Sequence, residues 1–368
     1  MPPAEGSPSS ALWMLVAVAA GVGCSTAAPE IVEPPGFAGL IEADARAHAA
    51  FPDELEARAA AFLPSADSGL IGRNRTWGAL YSPRFQLGAG GALRTALAAD
   101  RPAQAARAFR ALEVAAVTIE DDGRVPPTLP PELGVQPSPT DIASGAAFFL
   151  GDACLGLFAL EAAGPMGAVV PTDRRRRVRA RLGSAVAWLL TQQDLLEEAD
   201  QSAPNRLLFD ARSFHACGAL SEDPDIRARA AAATSRFVGG ALGLLADDGH
   251  FVEGGGHDTS YQGVALGLGE DLVAAGYDDA RLRDALSQAA RWLAGRVQSD
   301  GMIDSSDNQR TCGGGETFGG EPKRVAVPEV FAALVYSGVR VDDGSVLEAA
   351  GRIANWVQAN AGADPCFP

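Results

Sequence analysis

From about residue 38 onward apolar positions recur at i, i+3, i+4 and i+7, the spacing of one helix face, and strand-like alternation is almost absent. Five stretches carry the pattern most clearly: PAQAARAFRALEVAAVTIE from Pro102, PTDIASGAAFFLGDACLGLFAL from Pro139, DRRRRVRARLGSAVAWLLTQQ from Asp173, PDIRARAAAATSRFVGGALGLL from Pro224 and YDDARLRDALSQAARWLAGRV from Tyr277. Ser138 ahead of Pro139, with Asp141 in the first turn, supplies a cap, an N1 proline and an acid where backbone N–H groups lack partners, which marks a helix start. About eleven or twelve helices of ordinary length fit between residues 38 and 360. The expected class is all-α.

The connections repeat as well. Asp122-Gly123-Arg124-Val125, Asp248-Gly249-His250-Phe251 and Asp300-Gly301-Met302-Ile303 each place an Asp-Gly turn after a helix and before an apolar residue. Recurrent helix pairs with turns at one end predict an array, either an open solenoid or a closed ring of about five or six hairpins, an (α/α) toroid. A closed ring needs no capping repeats and leaves a central cleft lined by loops, so it is favoured.

The amino-terminal segment breaks the pattern. Residues 11–23 (ALWMLVAVAAGVG) are apolar, too short to span a bilayer comfortably, and end in small residues before Cys24. This suits a signal peptide over residues 1–24, followed by a Pro-rich tether at 25–37 and a single helical domain at 38–368. The Gly-Val-Gly-Cys junction resembles a bacterial lipoprotein cleavage box, which implies lipid on Cys24 and attachment to a membrane through it. Ordinary cleavage near Ala27 or Ala28 is the alternative. Either route exports the chain, as an anchored lipoprotein or a periplasmic or extracellular protein. Cys154, Cys217, Cys312 and Cys366 then form an even set compatible with disulfides, in any of three pairings. Their spacing suits no zinc site.

Composition narrows the partners. With 47% hydrophobic residues the chain can bury a large core, and a net charge of -16 argues against nucleic acid as the main partner. The run from Arg174 to Arg181 has the look of a nucleic-acid or lipid patch, but at helical spacing it wraps an exposed helix beside Asp173, so a solvated face is favoured.

Histidine and tyrosine number only four each, so their placement is informative. Residues 247–268 (DDGHFVEGGGHDTSYQGVALGL) gather His250, His257, Tyr261, Glu253, Asp258 and Gln262 around three consecutive glycines. Such a loop turns sharply and lets a ligand approach, while Asp258 or Thr259 caps the helix carrying Tyr261. A second polar group, Asn205 and Arg206, follows Pro204 at a helix start, and both side chains can hold a carboxylate. His215 on the same helix reads as a core histidine. Residues 71–85 mix Arg73, Arg75 and Arg84 with Trp77 and Tyr81, which suits stacking on sugar rings and binding of acidic groups. Such a segment can equally pin an amino-terminal arm. Residues 305–324 supply Asn308, Arg310, Glu316, Lys323 and Arg324.

Asn205 near a helix start, then an Asp-Gly-x-Phe turn, then Tyr261 at the next helix start, followed by a small-and-apolar stretch, resembles the toroidal domain of polysaccharide lyases that cleave chondroitin, hyaluronan and xanthan. The resemblance implies a catalytic set of Asn205, His257, Tyr261 and Arg310. Arg73, Arg75, Trp77, Arg206, Glu253, Asp258, Gln262 and Lys323 would bind an acidic polysaccharide. It also implies β-elimination on a uronate: Asn205 with Arg206 or Arg310 neutralises the carboxylate, while Tyr261, its pKa lowered by arginine, or His257, removes the C5 proton. The scheme calls for no cofactor and no metal. Two other functions fit the same residues, a glycoside hydrolase using Glu253 with Asp258 or Asp304, and a non-catalytic envelope protein that binds glycan or serves as a scaffold.

Overall fold

Local signals in the sequence decide where each helix begins. In the computed structural model, which describes residues 37–368 apart from 66–67, 77–79, 131–133, 135, 319–320, 361, 363 and 367–368, the helices are α1 (Ala38–Ala50), α2 (Pro52–Ala61), α3 (Gly72–Thr76), α4 (Ala89–Ala98), α5 (Pro102–Val117), α6 (Pro139–Ala162), α7 (Thr172–Leu189), α8 (Gln193–Asp200), α9 (Pro204–Leu220), α10 (Pro224–Leu242), α11 (Thr259–Ala274), α12 (Ala280–Gly295), α13 (Val327–Val341) and α14 (Gly344–Ala359). Helix makes up 68% of these residues and strand 3%, an all-α protein. The small strand content includes one hairpin, β1 (Thr317–Phe318) with β2 (Glu321–Pro322), which the periodicity did not reveal. Leader residues 1–24 with Cys24, and 25–36 of the tether, lie outside the described residues.

Ser138 and Asp141 form a reciprocal capping box at the start of α6, and α2, α5, α6, α9, α10 and α13 carry proline in the first turn. Hydrophobic coverage sorts the helices into two layers. α6 is apolar on all sides and continuously buried from Ala143 to Leu160; it is long enough to cross a membrane, yet 94% of its apolar window is buried inside the protein. α12 buries only one stripe, from Leu282 through Leu286, Ala289 and Leu293, and exposes the rest. α4 packs on α6, α6 on α9, α9 on α11 and α11 on α13, and α1 touches both α13 and α4. α5, α7, α10, α12 and α14 lie behind α4, α6, α9, α11 and α13 respectively.

The three Asp-Gly turns are built alike. Gly123, Gly249 and Gly301 have φ of 89°, 97° and 93°, a left-handed conformation that only glycine adopts without strain. A Cβ at Gly123 would strike Ser184 of α7, one at Gly249 would crowd Gln288 of α12, and one at Gly301 would strike Arg352 of α14. The turns therefore dock against outer helices, and Trp188 and Trp356 cover Gly123 and Gly301.

One buried polar network ties five helices together. Arg94 of α4 donates to both oxygens of Asp44 in α1 (2.9 and 2.7 Å) and to Asp271 in α11 (2.6 Å). Asp271 also accepts from Arg212 of α9 at 2.7 Å, and the Tyr336 hydroxyl of α13 donates to Asp44 at 2.8 Å. Disulfides join Cys154 of α6 to Cys217 of α9, and Cys312 to Cys366 near the carboxyl terminus, which selects one of the three pairings. Four of the six arginines of α7 are engaged in ion pairs: Arg174 with Glu113, Arg177 with Asp173, Arg179 with Glu161 and Arg181 with Asp121. His215 gives its ring nitrogen to the Ala275 carbonyl at 2.9 Å inside the core, and burial lowers its pKa.

Candidate functional site

The polar loop before α11 is held by its own glycines. Gly254 and Gly255 take φ of 64° and 91°, so the chain reverses tightly and Glu253 pairs back on Gly256. Asp258 caps α11 by accepting from the Ser260 and Tyr261 N–H groups, at 3.0 and 3.1 Å. Its other oxygen accepts from the backbone of Arg310 and Thr311, at 3.1 and 2.7 Å. Asn308 completes the seam by accepting from the Thr259 N–H at 2.9 Å. Two loops far apart in the chain are thus stitched edge to edge, and this seam delivers Arg310 to Tyr261.

The Tyr261 ring lies 4.3 Å from the Arg310 guanidinium and 4.3 Å from the Lys323 ammonium, measured to the ring centroid. Its hydroxyl donates to Glu316, 2.7 and 3.0 Å from the two carboxylate oxygens, and accepts a hydrogen bond from Lys323. Lys323 lies 3.3 and 3.4 Å from the same carboxylate, and Arg310 Nη2 reaches it at 3.2 Å. Arg310 Nη1 pairs with Glu253, whose Oε2 is buried with no partner among the described residues. The β1–β2 hairpin sets Glu316 and Lys323 opposite each other, with Lys323 N–H on the Glu316 carbonyl at 2.8 Å, and the Cys312–Cys366 disulfide anchors its base.

These surroundings shift every titratable member. Burial and the Glu316 contact push the Tyr261 phenol well above its ordinary value, and Arg310 only partly opposes them. The expected lowering of the Tyr261 pKa by arginine is therefore overturned. Burial holds Lys323 below the usual lysine value despite Glu316. Burial raises Glu253 against the pull of Arg310. Burial also acts to raise Glu316, but the Tyr261 hydrogen bond, Lys323 and Arg310 outweigh it and hold that carboxyl below its usual range. Tyrosine is thus fixed as an acid and lysine moved toward a base.

The other expected residues divide. His257 accepts from Arg296 at 3.0 Å and meets the rings of Trp292 and His250 edge-on, at 5.2 and 5.7 Å between centroids. Burial, Arg296 and His250 all lower its pKa, and it is not among the described side chains in contact with Tyr261. The imidazole thus belongs to a cluster on α12, not to the tyrosine. Gln262 is 2% exposed and accepts from the Phe251 N–H at 2.8 Å, which leaves it a loop brace instead of a ligand contact. Asp258 is saturated by its cap and seam, and Asp304 is bonded to Arg296 and Ser306, so neither is a free second carboxylate for hydrolysis beside Glu253.

Asn205, in the first turn of α9, is 5% exposed, and its Oδ1 has no partner among the described residues. Arg206 beside it pairs with Asp200 at 2.9 Å, and its charge acts on Glu253, which places it at the same end of the molecule as the tyrosine group. Below lie two buried acids: burial raises Asp200 against Arg206, and burial together with Asp200 raises Asp210 well above the usual range. Arg84, over the Phe148 ring at 4.3 Å, is influenced by both Arg206 and Tyr261 and joins this group. Arg73 packs over Phe85 at 5.7 Å, Arg75 is exposed, and Trp77 lies outside the described residues. Asn74 of the same segment is buried and braces Ser82 and Gln86, the arm-pinning role.

Sequence reasoning missed the central position of Glu316. The available signal was its spacing from Lys323, the two standing three residues either side of the Gly319-Gly320 pair in the sequence. A cavity of about 210 Å³ opens nearby, lined by Phe209, one turn after Asn205, by Val264, one turn after Tyr261, and by Arg94, Asp152, Arg212 and Asp271. No protein-family model, curated protein or solved structure matches the chain.

Proposed function

We propose that this chain is an exported, lyase-like protein that cleaves an acidic, uronate-containing glycan by β-elimination, with Tyr261 and Lys323 moving the proton. The observation that carries the reading is the Lys323–Tyr261 hydrogen bond beneath Arg310, with the carboxylate of Glu316 gripped by all three side chains. A carboxylate-binding pocket and a proton relay then share the same atoms. The cyclic order of helix packing supports an (α/α) toroid. The two disulfides support an oxidising compartment, in keeping with a lipoprotein-type leader ending at Cys24.

The steps balance without an outside reactant. Arg310 neutralises the uronate carboxylate, with the neutral Lys323 amine beside it, which acidifies the C5 proton by stabilising the enolate-like charge. Neutral Lys323 takes that proton. The C5 electron pair forms the C4=C5 double bond as the C4–O4 bond breaks, and Tyr261 gives its proton to O4. Lys323 then returns a proton to Tyr261 along their hydrogen bond, restoring both groups. Arg206 and Asn205 lie on the side toward α9, suited to the neighbouring sugar. His257 has no part in the sequence.

Incubation with a panel of uronic-acid polymers, following the ultraviolet absorbance of unsaturated ends, tests the reading. Binding without product would instead favour a glycan-binding role, and saturated reducing ends a hydrolase.

A further inference from the structure

The site is built to hold a carboxylate, and it already holds one. Glu316 meets the Tyr261 hydroxyl through both oxygens, Arg310 at 3.2 Å and Lys323 at 3.3 and 3.4 Å. No other carboxylate in the group has this set of partners. Glu253 takes only the far end of Arg310 and is buried, with its side chain 3% exposed. Glu316, by contrast, keeps 27% of its side chain exposed, so rotation about its own bonds can carry the carboxylate into water without moving the buried seam.

We infer that Glu316 is a displaceable internal carboxylate that selects for anionic ligands. The inference rests on the uronate-binding reading of this site. Arg310 and Lys323 are about as exposed as Glu316, at 30% and 32%, so water replaces their anion only in part when it leaves. A uronate replaces Glu316 like for like, charge for charge. A neutral sugar expels the glutamate without replacing its charge, so Lys323 and the Nη2 end of Arg310 lose their acceptor and Arg310 keeps Glu253 alone; it is rejected by this electrostatic loss and not by shape. Displacement also frees the Tyr261 O–H, which now donates to Glu316, to face the leaving oxygen. Glu316 therefore keeps the proton donor occupied until a substrate carboxylate arrives. The same competition lowers the apparent affinity for the substrate by the fraction of time that the pocket is closed.

Calorimetric titration with methyl β-D-glucuronide and with methyl β-D-glucoside tests this on the wild type, Glu316→Gln and Glu316→Asp, each first checked for an unchanged unfolding temperature. Glu316→Gln removes the competing charge and should bind the glucuronide at least tenfold more tightly. Glu316→Asp keeps the charge but shortens its reach and should fall between, which keeps the test decisive if the glutamine variant folds poorly. Wild type that binds glucuronide while both variants match it, or bind more weakly, overturns the role of Glu316 alone. Failure of every form to bind glucuronide or to cleave a uronate polymer overturns the reading of the site, and the inference with it.

Discussion

The Tyr261 hydroxyl stands between a donor and an acceptor: Lys323 donates to it, and it donates to Glu316 at 2.7 Å. An oxygen held this way is a relay position, and burial keeps its proton in place. The neighbouring amine is the group whose basicity burial improves. Lys323→Arg isolates the role of the base, because a guanidinium still donates to a carboxylate but cannot accept a proton. The variant should retain KM within a few-fold and lose about 10²–10⁴ in kcat, as steady-state kinetics would measure. A rise in KM at unchanged kcat would make Lys323 a binding residue only.

The pH profile follows from the same two groups. Lys323 must be neutral, and its pKa is lowered, so activity rises with pH through a value below that of ordinary lysine. Tyr261 must be protonated, and its pKa is raised, so the descending limb lies above the ordinary tyrosine range. kcat/KM should climb from neutral into alkaline pH with no early fall. A maximum on the acid side would point instead to a carboxylate base.

Because Lys323 and Tyr261 are hydrogen-bonded neighbours, the proposed reaction would draw its proton acceptor and donor from one face of the sugar ring. In glucuronate and mannuronate H5 and O4 share a face; in galacturonate, guluronate and iduronate they lie on opposite faces. Product assays should therefore show cleavage of glucuronate- or mannuronate-type linkages, with the opposite-face polymers left intact.

Stability rests on a different set of charges. Arg94 and Asp44 are almost fully buried, at 6% and 5% side-chain exposure, and Arg94 also satisfies Asp271. Arg94→Met leaves Asp44 without a cation and Asp271 with Arg212 alone, and should cost about 3–5 kcal/mol in urea-induced unfolding. Because the network joins α1 to α4, α9, α11 and α13, the loss should be global instead of confined to the amino-terminal helix.

Much of the fold was legible because its signals are local. Ser138, Pro139 and Asp141 define the start of α6 by themselves, and each Asp-Gly turn announces its left-handed glycine. The site was only half legible for the converse reason. Tyr261 stood out because tyrosine is rare, but its partners arrive through the Asp258 and Asn308 seam, which depends on residues about fifty positions apart meeting in space. His257 meets Trp292 of α12 and Arg296 just beyond its end, contacts that its nearness to Tyr261 in sequence does not reveal. The disulfide pairing was hidden for the same reason, since Cys154 and Cys217 meet only once α6 packs on α9.

In the proposed elimination the Tyr261 hydroxyl delivers the proton to the leaving oxygen. Wild type and Tyr261→Phe, compared on a glucuronate-containing polymer by ultraviolet absorbance of unsaturated ends, test it most directly. The account predicts steady formation of unsaturated product by the wild type and a loss of at least about 10²-fold in the variant with its fold intact. Undiminished activity in Tyr261→Phe, or wild-type product that carries no unsaturation, would contradict it.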